Sequence, residues 1–234
     1  VLLKILLIMS AQHNSLKSKD IKEILLKAYE NRYFSNHGPL AQQFENEIEV
    51  FLNIRNAVSV PNNALAVLIA MSGSDNGDKV AILNGCKKDV FDAAKMSNLN
   101  FTKITIESLK TNLLADIGMV IVSSSKLTKS NFTFFNDLVK KGFKVIICYS
   151  SIANFYDHNN IEGVISVCSL GSGTLAQGGI IATNNDELAE IFRNIRSSYG
   201  ARKVLKVKAT CNGRFSEIQA GIGLALLNKV KECI

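Results

Sequence analysis

The chain has 234 residues, 47% of them hydrophobic and 20% charged, a composition that excludes disordered and fibrous proteins and is typical of a globular one. The formal net charge is +7, but the lysines lie mostly singly, so it indicates a basic surface and no nucleic-acid partner. The five cysteines contain no CxxC pair and are odd in number, which argues against a disulfide framework or a zinc site and favours a reducing, cytoplasmic compartment.

The chain begins with a short apolar run, from Val1 to Met9. This run is far shorter than the roughly 20 residues that a membrane-spanning helix needs. It also lacks the basic start and the small-residue cleavage site of a signal peptide. We therefore expect no membrane partner.

Apolar residues at helical spacing predict a helical N-terminal segment over about residues 15–54. Ser18 is the predicted N-cap of its first helix, and Pro39 is expected in the first turn of its second. Strands and helices then alternate: strands at 57–60, 79–83, 119–123 and 143–148, and helices at 63–70, 89–96 and 131–141. This alternation predicts an α/β domain with a mainly parallel sheet covered on both faces.

The alternation breaks near the C-terminus of the chain. Predicted strands at 163–168 and 179–183 are separated only by a loop, which indicates a hairpin or an antiparallel strand in a mixed sheet. A helix capped by Asn184 or Asn185 follows, and a last helix is predicted over 216–230. We expect residues 1–234 to form a single domain.

Four segments in order resemble the DegT/DnrJ/StrS-type sugar aminotransferases, pyridoxal phosphate (PLP) proteins of the type I aminotransferase fold that act on nucleotide-linked keto-sugars. The segments are 33–45 with Asn36-His37-Gly38-Pro39, 57–66 with Pro61-Asn62-Asn63-Ala64, 166–200 with Gly178-Gly179, and 212–224 with Asn212-Gly213-Arg214-Phe215-Ser216-Glu217. The resemblance implies the three-layer large domain of that fold and a homodimer with active sites at the subunit boundary. It also implies that the small C-terminal domain of the family is absent.

The resemblance places the catalytic groups of the family at positions where this chain has other residues. The lysine that bonds PLP corresponds to Gly171, and the acid beneath the pyridine nitrogen corresponds to Cys148. The hydroxyl pair that binds phosphate corresponds to Asn63 and Ala64, and the residue that stacks on the ring to Gly85. Without a lysine to form an imine and an acid to protonate the ring, PLP cannot act as an electron sink.

Two positions retain the residues of the family. Ser166 matches a serine that contacts phosphate, and Asn212 matches an asparagine that reaches the phosphate of the neighbouring subunit. Both have ordinary structural interpretations, a serine on a strand and an asparagine that caps the last helix or forms a turn. His37 lies in a turn that borders the substrate in relatives, although we favour a surface or turn role without substrate contact for this residue.

Two hypotheses follow for function. The first is a catalytically inactive relative of nucleotide-sugar aminotransferases, linked to surface-polysaccharide or deoxysugar biosynthesis, without PLP, that pairs as a homodimer or with an active paralogue and holds a nucleotide-sugar. The alternative is an active PLP-dependent sugar aminotransferase or dehydratase with a rearranged site. In that case Lys126 and Lys129 are the nearest lysines that can replace the missing amine.

Overall fold

The computed structural model of the chain describes residues 16–74, 79–111, 116–152, 163, 165–170 and 177–232. The helices are α1 (Ser18–Glu30), α2 (Pro39–Leu52), α3 (Asn63–Ser74), α4 (Lys88–Met96), α5 (Ile106–Thr111), α6 (Lys129–Lys140), α7 (Asp186–Arg196) and α8 (Glu217–Glu232). The strands are β1 (Asn56–Val60), β2 (Lys79–Leu83), β3 (Phe101–Ile104), β4 (Ile117–Ser123), β5 (Lys144–Tyr149), β6 (Ile165–Ser169) and β7 (Gly179–Thr183).

The described strands form one seven-stranded sheet in the order β1-β7-β6-β5-β4-β2-β3. Only β7 runs against the others, between β1 and β6 and antiparallel to both. The predicted α/β fold with a mixed, mostly parallel sheet is therefore confirmed, as is the antiparallel strand near the C-terminus. Because the remaining strands are parallel, their carboxyl ends lie along one edge of the sheet, which we call the carboxyl edge.

Helices cover both faces of the sheet. Residues of α2, α6 and α8 pack on one face, around buried Phe44, Phe135 and Leu227. Residues of α3, α4 and α7 pack on the other, around Val67, Ala93 and Phe192. The strands between these two layers are rich in Val and Ile, as expected when both faces of a parallel sheet are buried.

Two elements were not predicted from the sequence. The strand β3 lies at the edge of the sheet and pairs with β2 alone, so its residues are partly exposed and lack a buried apolar run. The six-residue α5 that follows is too short to show a helical period. Neither element contributes to the carboxyl-edge positions considered below.

The predicted N-cap at Ser18 is wrong, since Ser18 is already helical and Lys17 precedes the helix. Asp20 accepts a hydrogen bond from the backbone N–H of Lys17 at 2.7 Å, which fixes the helix start one residue earlier. Pro39 at the start of α2 and Asn185 as the cap of α7 are confirmed, the latter by a 3.0 Å bond from the N–H of Leu188. Among the described helices, none is long and apolar enough to cross a membrane.

Candidate functional site

The carboxyl edge of the sheet brings several of the predicted site residues together. Asn63 and Ala64 begin α3 directly after β1, and Gly85 follows the end of β2. Cys148 lies near the end of β5, paired with Ser123 of β4 and Val167 of β6. Open α/β sheets bind their ligands at this edge, so it is the candidate site.

The environment of Cys148 holds its thiol neutral. Burial raises the pKa of Cys148 well above its ordinary value, and the nearby Cys86 and Asp89 raise it further, against the opposing charge of Lys87. Burial likewise raises the pKa of Cys86 to about 11. Neither thiol is a strong nucleophile at neutral pH, because the thiolate is the reactive form. Cys148 therefore offers no negative charge at the position of the ring acid.

The first turn of α3 faces a carboxylate. Asn62 accepts a hydrogen bond from the N–H of Leu65 at 2.8 Å and so caps the turn. The Asn63 amide donates to Oδ2 of Asp89 at 2.7 Å, while Oδ1 of Asp89 accepts from the N–H of Val90 at 3.0 Å. Asn63 Oδ1 is buried and accepts no hydrogen bond from the described residues. A helix N-terminus attracts anions, but here a carboxylate and an unpaired acceptor oppose a phosphate.

Gly85 and Lys126 meet at the same edge. Gly85 has a left-handed backbone with φ of 99°. A Cβ at this position would lie 3.0 Å from Cε of Lys126, which belongs to the short 3₁₀ turn Ser124–Lys126 after β4. The Lys126 side chain therefore crosses the space above Gly85, where a stacking residue is expected from the resemblance. Of Lys129 only the backbone is described.

These residues do not fit PLP as the resemblance requires. The position beneath the pyridine nitrogen has a neutral thiol, and the phosphate position has Asp89 bonded to Asn63. Gly171, the position of the missing lysine, lies outside the described residues. We therefore derive no catalytic step through PLP at this edge.

The structure separates Ser166 from the other predicted cofactor residues. Ser166 is buried within β6, in register with Ile147 and Ala182, and it hydrogen-bonds the side chain of Tyr149. Successive strand residues point to opposite faces, so Ser166 faces away from the layer that Cys148 contacts. Ser169, the last residue of β6 and paired with Gly179, lies at the carboxyl edge. Sequence spacing had not identified Ser169, because spacing does not show where a strand ends.

His37 lies in the predicted turn but is buried, so a surface position for it is wrong. Its backbone is left-handed with φ of 60°, and its Nε2 lies 3.2 Å from Oε2 of Glu45. A Cβ on Gly200 would come within 2.7 Å of the imidazole, so the glycine closes over it. Only 3% of His37 is exposed, and substrate contact by this residue stays a prediction.

Glu45 is the centre of the cluster that holds His37. Its Oε1 accepts hydrogen bonds from the Ser59 N–H at 2.7 Å, the Ser59 hydroxyl at 2.8 Å and Nη1 of Arg196 at 2.7 Å. Burial opposes ionisation of Glu45, but the Arg196 charge and the bonds from His37 and Ser59 outweigh it. Together they lower the pKa of Glu45 to about 2. Glu45, Arg196 and His37 form what we call the buried ion cluster.

We expect this pKa shift to make the protein lose stability in acid. Because the folded-state pKa of Glu45 lies near 2 and the unfolded value near 4.5, the unfolded state binds a proton first as the pH falls. Ionised Glu45 therefore contributes roughly 3 kcal/mol to the free energy of unfolding above pH 5, and this contribution is lost progressively between pH 5 and pH 2. Urea unfolding between pH 7 and pH 2 measures it. In the Glu45→Gln variant the free energy of unfolding should fall less steeply over this pH range. An equally steep fall in the variant and the parent would contradict the low pKa of Glu45.

Asn212 is exposed at the surface, with a left-handed backbone of φ 50°. The flanking N–H groups of Cys211 and Gly213 donate to the carbonyls of Ile195 and Arg196 at 2.9 and 2.6 Å, which fixes the turn. Asn212 does not cap the last helix, because Ser216 accepts from the N–H of Gln219 at 3.2 Å and takes that role. Contact with another subunit through Asn212 stays a prediction. Among the described residues, no group of three or more His, Cys, Asp or Glu is placed to hold a metal.

Comparison with known proteins confirms the family resemblance. Residues 171–234 match the model of the DegT/DnrJ/EryC1/StrS aminotransferase family. No curated protein matches the sequence. The family model thus covers the last of the four segments that carry the resemblance and the Gly178-Gly179 strand before it.

Solved structures match over nearly the whole chain. DesI with its TDP-sugar product is 17% identical with a TM-score of 0.79, over 95% of this chain and 61% of DesI. PseC of Helicobacter pylori, an aminotransferase in pseudoaminic acid biosynthesis, is 18% identical with a TM-score of 0.72, over 95% of this chain and 66% of PseC. NtdA of Bacillus subtilis with bound PMP is 19% identical with a TM-score of 0.72, over 92% of this chain and 53% of NtdA. This chain therefore spans between about half and two thirds of these proteins, and at such identities the likeness shows the fold alone.

Proposed function

We propose that this chain is a non-catalytic relative of the nucleotide-sugar aminotransferases, with a role in deoxysugar or surface-polysaccharide biosynthesis. The neighbours support this setting, since they include DesI with a TDP-sugar, PseC and a GDP-4-keto-6-deoxymannose-3-dehydratase. The observation that carries the loss of catalysis is the neutral, partly buried thiol of Cys148 near the end of β5.

The chemical reason lies in what the ring requires. A carboxylate beneath the pyridine nitrogen keeps it protonated and so stabilises negative charge that develops on the substrate. A thiol whose pKa is raised by burial supplies no such charge, and Asp89 bonded to Asn63 repels the phosphate of the same cofactor. Both ends of the cofactor thus lack their partner, and replacing one residue would not restore the site.

The role that remains is binding. The family fold persists, so a nucleotide-sugar at the carboxyl edge and a second aminotransferase-like subunit at the surface near Asn212 are the proposed ligand and partner. Asn212 supports the second proposal because its side chain is exposed on a rigid turn and makes no cap within this chain. The subunit is either a second copy or an active paralogue.

An active enzyme is the second candidate, and one observation favours it. The Lys126 side chain lies beside Gly85 at the carboxyl edge, so its amine is the candidate replacement for the missing lysine. An imine with PLP requires only an accessible amine of this kind. The two candidates differ in one measurable property, covalent attachment of PLP.

The test is a PLP-binding experiment. The purified protein is incubated with PLP, freed of excess and reduced with borohydride, and the spectrum and intact mass are recorded. We expect no visible absorption band that survives removal of free PLP and no stoichiometric mass increase after reduction. A band lost on reduction, with the modified peptide containing Lys126, would establish the active candidate instead.

Matched variants separate a specific amine from general lysine modification. Lys126→Met removes the amine at the edge, and Lys95→Met removes an exposed amine from the last turn of α4. If PLP adds only to surface lysines, both variants should lose the same small fraction of label. Loss confined to Lys126→Met would contradict the proposed inactivity.

A further inference from the structure

A cavity of about 440 Å³ lies on the helical layer formed by α3, α4 and α7, away from the carboxyl edge. Its walls include Leu68 and Ser72 of α3, Met96 at the end of α4, and Ile191 of α7. Since α3 starts at the carboxyl edge with Asn63 and runs back along the sheet, these residues lie toward the opposite edge. The volume is in the range of sites for small organic ligands.

The outer wall of the cavity is an irregular segment held at both ends. Asn194 of α7, itself buried, donates to the Lys203 carbonyl at 2.8 Å and accepts from the N–H of Leu205 at 2.9 Å. At the other end the N–H of Cys211 donates to the Ile195 carbonyl at 2.9 Å. Residues 206–210 between these anchors bound the cavity, so the wall is positioned by α7.

The lining is apolar and carries charge of one sign. The apolar residues on the described walls are Leu68, Met96, Leu99, Ile191, Ile195, Val207 and Ala209. Lys206 and Lys208 also line it, with hydroxyls from Ser72, Ser97 and Thr210, whereas no described lining residue is Asp or Glu. Burial raises the pKa of the remaining lining thiol, Cys211, so that group adds no negative charge.

We propose that this cavity binds an amphipathic monoanion with an aliphatic body, of the class of medium-chain fatty carboxylates. The apolar walls bury the chain, and the two lysines and the hydroxyls receive the carboxylate. No aromatic side chain is present on the described walls, so the lining offers no stacking surface for a nucleobase. The lining shares no residue with the carboxyl edge described above, so binding at the two places can be tested separately.

The test compares decanoate with 1-decanol by isothermal titration calorimetry on the whole chain. We expect saturable decanoate binding with a stoichiometry of one. The double variant Lys206→Gln/Lys208→Gln should lower the affinity for decanoate by about tenfold and leave the affinity for decanol unchanged, because only the carboxylate is attracted by the lysine charges. Ala209→Trp, on the exposed segment, should fill the cavity and abolish binding of both ligands.

The matched control is Arg202→Gln/Lys203→Gln, which removes two positive charges from the same segment outside the cavity lining. It should bind decanoate as the parent does. If both double variants weaken decanoate binding equally, the effect comes only from the net charge of +7 of the protein, and the proposal is overturned. A lack of saturable binding would also overturn it. If Ala209→Trp instead converts a dimer to a monomer in light scattering, the cavity is an interface between copies and the proposal fails.

Discussion

Replacing Arg196 by methionine is expected to lower the free energy of unfolding by about 3–5 kcal/mol, the usual cost of removing one partner from a buried ion pair. Arg196 is fully buried at the end of α7, and its Nη1 lies 2.7 Å from Oε1 of Glu45. Methionine keeps much of the volume but leaves the Glu45 carboxylate without its nearest positive charge. The pKa of Glu45 should rise in the same variant, since Arg196 is the main group that lowers it.

The loss should extend beyond the ion pair. The same guanidinium donates to the Ser59 carbonyl at 3.1 Å and to the Tyr199 carbonyl at 2.7 Å, which joins β1 to the turn after α7. Removing it leaves the buried Ser59 carbonyl without this donor, at a further cost of about 1 kcal/mol, and frees the more exposed Tyr199 carbonyl at a smaller cost. The turn that closes over His37 is therefore expected to become more mobile.

Arg55 provides the matched control. Its ion pair with Asp186 has an N–O distance of 3.2 Å, but both side chains are more than 60% exposed. Arg55→Met should cost less than about 1 kcal/mol in the same urea titration. In a double variant, Arg196→Met/Glu45→Gln should lose less than the sum of the two single changes, because a neutral amide leaves no charge unpaired. Equal losses at Arg196 and Arg55 would show that the buried ion cluster contributes no more than a surface pair.

Most of the fold was predictable because buried positions recur along the sequence with the spacing of a helix or a strand, and apolar residues occupy them. The parallel strands β4 and β5 are short Val- and Ile-rich runs between helices, and α7 has its cap and its apolar stripe in sequence order. The edge strand β3 was missed since only one of its sides pairs and its residues are half exposed. The start of α1 was misplaced because Asp20, and not Ser18, makes the hydrogen bond that sets it.

The candidate site was predictable only in part. Resemblance alone led to Cys148 and Asn63, and the parallel sheet places both at one edge. Sequence spacing could not show that Asp89 bonds to Asn63 across 26 positions, or that Ser166 faces the other layer. Nor did it show that His37 is enclosed by Glu45 and Arg196, which lie 151 positions apart. Contacts of this kind depend on how the helices pack.

The first and the last of the four segments that resemble the family pack against each other in the structure. The N–H of His37 donates to the Phe215 carbonyl at 3.1 Å, and the N–H of Glu217 donates to the Phe34 carbonyl at 3.2 Å. Arg214 donates to Oδ1 of Asn36 at 2.5 Å. The Gly-Pro turn and the start of α8 thus form one structural unit, so the packing of the chain alone accounts for these two segments.

Glu217→Ala is expected to lower the free energy of unfolding by about 2–4 kcal/mol. Glu217 lies far from α2 in sequence, but its side chain caps the start of that helix, and the substitution removes this cap. The N-cap of α2 is Gly38, which has no side chain to accept a hydrogen bond, and Pro39 has no N–H. The fully buried Glu217 accepts instead from the N–H groups of Leu40 at 2.7 Å and Ala41 at 3.0 Å. Its charge also lies at the positive end of the α2 dipole.

Glu217→Gln should cost less than Glu217→Ala, because one amide oxygen still accepts while the NH₂ group opposes the other N–H. Asn185→Ala is the control, an ordinary cap of α7 for which about 1 kcal/mol is expected. Hydrogen exchange gives the second measurement. The amides of Leu40 and Ala41 should both lose protection in Glu217→Ala, one of the two should keep it in Glu217→Gln, and both should keep it in Asn185→Ala. Unchanged protection at these two amides would mean that α2 does not depend on α8 for its start, and the unit formed by the two segments would then rest on apolar packing alone.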